Sequence, residues 1–70
     1  MSVLKINGEV NAFPEGKMPA TIMDLLLSLG IDSAAVVAEL DGQVIERVKF
    51  STTPLRNGET IELVRFVPGG

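Results

Sequence analysis

Apolar and polar residues along this chain change period several times, and each change marks an element. Val3-Leu4-Lys5-Ile6 alternates weakly and runs into Asn7-Gly8, two residues that tolerate positive φ and favour a tight hairpin turn. Glu9 to Phe13 reads as the returning strand, stopped by Pro14, and Glu15 to Pro19 as a loop. Next comes a helix with clear punctuation. Thr21 and Asp24 have capping-box spacing, in which the hydroxyl accepts from a free backbone N–H and the acid reaches back. Ile22, Leu25, Leu26 and Leu29 recur at i, i+3, i+4 and i+7, so they share one face and are expected in the core. Gly30 supplies the left-handed residue that ends the helix at Leu29.

Ala35 to Leu40 is apolar and β-branched and closes on Asp41-Gly42, a second turn pair, before the short return Gln43-Val44-Ile45. Val48 to Leu55 has no clean period and contains Ser51-Thr52-Thr53-Pro54, which reads as a loop with one short helical turn. Asn57-Gly58 turns the chain again, and Thr60 to Val67 is the last and longest strand. One helix of some eight residues cannot cover both faces of a sheet. The pattern therefore predicts an α+β roll: a mixed four- to five-stranded sheet with the helix packed across one face, first and last strands adjacent. Residues 1–66 form the domain and 67–70 a C-terminal tail ending in Gly-Gly.

Composition narrows the chemistry. Seventy residues hold a single core, and an apolar fraction of 46% suffices to fold it without disulfides or metals. With no Cys and no His, the chain has no thiol nucleophile, no sulfur-based metal site and no side chain that titrates near neutral pH. Self-contained catalysis is not expected; the chain reads as a non-enzyme. A net charge of −3, six scattered basic residues and three isolated Phe argue against nucleic acid. No apolar run approaches the roughly 20 residues that cross a bilayer, and no signal-peptide pattern opens the chain. A cytoplasmic protein without a membrane partner is expected.

What remains is the end of the chain. Period two on the last strand sends Ile61 and Leu63 toward the helix and leaves Val64 and Phe66 on the uncovered face. An apolar pair on an open face suggests docking, with Arg65 beside it. Gly69 and Gly70 follow, after Val67 and Pro68. Glycine has no side chain, so it can thread a narrow channel and take whatever φ the channel imposes. The five residues from Phe66 to Gly70 reach at most about 17 Å when extended. Proline at 68 fixes φ and removes a donor, which stiffens that reach.

The ordered set of motifs resembles the ThiS family, small sulfur carriers of thiamine thiazole synthesis with a β-grasp (ubiquitin-like) fold. Its marks are Ile6-Asn7-Gly8-Glu9, Thr21-Ile22, Leu25-Leu26, Leu29-Gly30, Val37 to Gly42, Asn57 to Val64, and Gly69-Gly70. The resemblance implies that an E1-like adenylating enzyme uses ATP and Mg2+ to activate the Gly70 carboxylate. Sulfur from a donor protein then gives a thiocarboxylate, which thiazole synthase receives. On this reading Val67, Pro68 and Gly69 thread the activating enzyme, Val64, Arg65 and Phe66 are candidate docking residues for a partner, and the chain itself binds no cofactor. The absence of Cys fits, because the reactive sulfur is carried on the C-terminus. Alternatives left by the residues are a molybdopterin-type sulfur carrier, a ubiquitin-like modifier joined through Gly70, and a plain β-grasp interaction module. Family members often place Pro before the Arg of the short strand and a small residue before the glycines; here these positions hold Glu46 and Pro68.

Overall fold

The computed structural model describes residues 1–67. Two hairpins and a final strand supply one mixed sheet. The first hairpin joins β1 (Ser2–Ile6) to β2 (Glu9–Phe13) through Asn7-Gly8, both at positive φ. The second joins β3 (Val36–Leu40) to β4 (Gln43–Ile45) through Asp41-Gly42, again both at positive φ. The last strand, β5 (Thr60–Arg65), runs parallel to β1 on one side and antiparallel to β3 on the other. The order is therefore β2-β1-β5-β3-β4, five strands, with the first and last as neighbours at its centre.

Helix α1 (Ile22–Leu29) has the bounds that its capping residues predict. The Thr21 hydroxyl accepts from the Asp24 N–H at 3.1 Å, and no reciprocal bond from the Asp24 carboxylate is present among the described residues. Two further N–H groups of the first turn are satisfied from elsewhere. Ile22 donates to the Thr53 carbonyl (3.2 Å) and Met23 to the Phe50 carbonyl (3.0 Å). At the other end Gly30, at φ 70°, donates to Leu27 (3.2 Å) and Ile31 to Leu26 (2.9 Å), the two bonds of a Schellman turn.

The core lies between this helix and one face of the sheet. Leu4 from β1, Ala38 from β3, Ile61 and Leu63 from β5, and Ile22, Leu25 and Leu26 from the helix are all buried. The expectation for Leu29 is corrected: it is 46% exposed. The Schellman turn swings Ile31 back against the core at the helix end, and Leu29 is left at the rim.

The segment 46–59 contributes more than its sequence suggests. A 3-10 turn, Arg47–Lys49, points Phe50 inward until only 1% of it is exposed, and Leu55 is buried beside it. Leu55 also donates to the Ala20 carbonyl at 2.9 Å, so this loop is tied to the chain just before the helix. Three strand bounds differ from the sequence pattern: β1 begins at Ser2 rather than Val3, and the other two are in β3 and β5. Ala35 belongs to a second 3-10 turn, Ser33–Ala35, and the last strand ends at Arg65 rather than Val67.

Candidate functional site

β5 alternates as its period requires. Ile61 and Leu63 face the helix and are buried, whereas Glu62 and Val64 lie on the opposite face and are exposed. No described element covers that face. Register places Val64 directly opposite Val37 of β3, and Glu62 opposite Glu39. Val64 is 58% exposed and Val37 is also open to solvent. Glu39 is in turn opposite Val44 of β4, so Val37, Val44 and Val64 form an apolar patch beside a pair of carboxylates.

Phe66 extends this patch round the end of the sheet. Its N–H donates to the Ala35 carbonyl at 2.9 Å, one residue beyond the β3–β5 ladder. The ring is half-exposed and lines a groove of about 290 Å³. Val37, Val44, Val36, Ile45 and Phe50 line the same groove, with Glu46 and Arg47 also on it. The groove exists because β4 stops at Ile45, opposite Ala38, so β3 extends past it at Val36 and Val37. Sequence reasoning missed Val37, Val44 and Ile45; the alternation of Val36, Val37 and Ala38 signals an outward Val37, but only register shows what it faces.

The sequence-predicted site residues therefore separate into groups. Val64 faces Val37 across the ladder, and Phe66 lines the groove with Val37. Arg65, in register with Val36, is exposed but belongs to the helix side of the strand by alternation. Val67 follows outside the strand, 81% exposed. Pro68, Gly69 and Gly70 lie outside the described residues. Among the described residues no three His, Cys, Asp or Glu come together as a metal site, and no helix is long and apolar enough to cross a membrane.

The pattern that defines the ThiS family matches residues 4–70. The chain belongs to the ThiS family. A relative that it matches end to end is the sulfur carrier protein ThiS of Bacillus subtilis, 31% identical over 68 residues, 97% of this chain and 100% of the relative. Another is a thiazole synthase of Paramagnetospirillum magneticum, 31% identical over 67 residues; the match takes in 96% of this chain but spans only 20% of that protein. In three dimensions the fold superposes on the crystal structure of a thiamine biosynthesis protein (ThiS) from Geobacter metallireducens. The TM-score is 0.80 at 30% identity, over 97% of this chain and 99% of that one. The solution structure of a thiamine biosynthesis protein from the same organism gives 0.74 at 31% identity, over 100% and 88%. The five-stranded mixed sheet with one helix is thus the α+β β-grasp fold of ThiS structures.

Proposed function

We propose that this chain is a sulfur carrier of thiamine thiazole synthesis, and that the Gly70 carboxylate is the group that carries the sulfur. The observation that carries this reading is the match over the full length of the Bacillus sulfur carrier, within a family pattern that runs to residue 70. The chemistry needs a partner. An E1-like adenylating enzyme supplies ATP and Mg2+; a Gly70 carboxylate oxygen attacks the α-phosphorus, and pyrophosphate leaves. Sulfur delivered by a donor protein at the sulfide level then attacks the acyl carbon; the bond to phosphate breaks, AMP leaves, and a thiocarboxylate remains. The chain acts as a protein cosubstrate throughout.

The described residues support this division of labour. β5 is the central strand that leads to the tail, held between β1 and β3, so the reactive end starts from a fixed point. The apolar surface of Val37, Val44, Val64 and Phe66 lies next to that point and suits a docking role, with Arg65 on its flank. Val67, Pro68 and Gly69 then bridge to the activating site. Similarity to a segment of a thiazole synthase supports that enzyme as the acceptor of the sulfur.

Genetic complementation tests the pathway. The gene is expected to restore growth without thiazole in a bacterium that lacks its own thiazole sulfur carrier, and a Gly70 deletion is expected not to. Rescue of a strain lacking the molybdopterin carrier, without rescue of the thiazole auxotroph, would overturn the assignment.

A further inference from the structure

Two turn residues clasp β5 by the same device. Asn7 and Asp41 each open a hairpin turn, each has φ 49°, and each precedes a glycine. Asp41 holds the start of the strand: its N–H donates to the Thr60 carbonyl (2.8 Å), and its Oδ1 accepts from the Thr60 N–H (2.9 Å). Asn7 holds the far half. Its N–H donates to the Ile61 carbonyl (2.9 Å), its Oδ1 accepts from the Leu63 N–H (2.7 Å), and its Nδ2 donates to the Leu63 carbonyl (3.2 Å).

The Asn7 contacts reproduce one rung of a parallel ladder. β1 and β5 are in register at Lys5–Thr60 and Ile6–Ile61. In a regular parallel pair, the residue that donates to Ile61 would next offer its own main-chain carbonyl to the Leu63 N–H. Here β1 has already turned into β2, so the Asn7 side chain supplies the carbonyl. Its amide N–H supplies the donor that a following strand residue would give. A primary amide has the acceptor and donor of a peptide group, which is why Asn can do this and an apolar residue cannot.

Leu63 is where this rung counts. Val64, Arg65, Phe66 and Val67 come directly after it. Beyond Leu63, β5 is held among the described residues from the β3 side, through the Val36–Arg65 pair and the Phe66 N–H to Ala35. Asn7 is the last hold on the other side among the described residues.

We propose that Asn7 is a positioning residue for activation of the C-terminus: its side-chain amide pins Leu63 and so fixes the direction in which Val64 to Val67 leave the sheet. The inference rests on the carrier reading above and adds a residue to it. Losing the rung lets the end of β5 pivot on β3, so the activating enzyme must select a smaller population of correctly aimed strand ends. The effect falls on KM, because a tail once seated is held by the enzyme.

The test uses the full chain as wild type, Asn7→Gly and Asp41→Gly. Glycine keeps the positive φ at either turn and removes only the side chain that clasps β5. With Asn7→Gly, amide exchange at Phe66, whose acceptor is Ala35 and not Asn7, is expected to accelerate roughly tenfold relative to Leu25 in the helix. KM for the carrier in ATP–pyrophosphate exchange by the activating enzyme is expected to rise roughly tenfold, with kcat within about twofold. Asp41→Gly, the matched loss at the other end of the strand, is expected to change neither. Should Asn7→Gly fail to fold, Asn7→Asp makes the same comparison, since it keeps the acceptor and sets an oxygen against the Leu63 carbonyl. Wild-type values of Phe66 exchange and KM in the Asn7 variant, or equal changes from Asp41→Gly, overturn the proposal. A wild-type chain that supports no ATP–pyrophosphate exchange overturns the carrier reading instead, while exchange at Phe66 still decides whether Asn7 aims the strand.

Discussion

Val37 and Val64 stand directly opposite each other across the β3–β5 ladder, on the face that the helix leaves bare. A cross-strand apolar pair in the open contributes little to folding but is well placed to be covered by another protein. Val64→Thr, which keeps the β-branch and adds no charge beside Glu39 and Glu62, is therefore expected to shift stability by no more than about 0.5 kcal/mol, because the side chain is already solvated. The same change is expected to raise KM for the activating enzyme roughly tenfold, the cost of one desolvated interface anchor. Thermal melting and activation kinetics on the same sample check both halves.

Glu39 and Glu62 form the neighbouring opposed pair, two carboxylates in register on the same bare face. Like charges directly opposite destabilise a sheet. Glu62→Lys converts the pair into an attractive one and is expected to stabilise the fold by about 0.2–1 kcal/mol at low salt. Urea denaturation measures the gain, and added salt is expected to shrink it, because exposed charges are screened.

Phe50 is the largest fully buried side chain, and it comes from a loop rather than from a strand or the helix. Phe50→Ala removes the contact between that loop and the core and is expected to cost about 3–5 kcal/mol. Native stabilities run from about 5 to 15 kcal/mol, so a chain this small loses much of its margin. Equilibrium denaturation in urea should show a large fall in midpoint, without loss of the cooperative transition.

Gly30 takes φ 70° at the helix end, where a side chain is strained although no atom blocks its Cβ. Gly30→Ala is expected to cost about 1–2 kcal/mol, the penalty of a left-handed residue with a Cβ. An unchanged melting temperature would contradict this account of the helix stop.

Much of this was written locally in the chain. Thr21 and Gly30 bracket the helix because capping acts through neighbouring backbone groups, and Asn7-Gly8 and Asp41-Gly42 mark the hairpins through their own φ preferences. Alternation along β5 separated Ile61 and Leu63 from Val64 correctly, because one face of the strand is covered and the other is not. Phe50 and Leu55 were not legible, since their burial comes from a loop tied to the helix start through Thr53 and Ala20. Leu29 had the right spacing for the core but was displaced by Ile31, which the Schellman turn brings back. Of the candidate site, Val64 and Phe66 followed from period two. The groove did not, because it depends on β4 ending short of Val36 and Val37.

On the proposed function, the C-terminal carboxylate of Gly70 carries sulfur. Intact mass spectrometry of the chain after incubation with ATP, Mg2+, the activating enzyme and a sulfur donor tests it most directly. The predicted result is a mass gain that corresponds to one oxygen replaced by sulfur, localised to the C-terminal peptide and lost when Gly70 is deleted. An unchanged mass under conditions in which the enzyme activates its own carrier would contradict it.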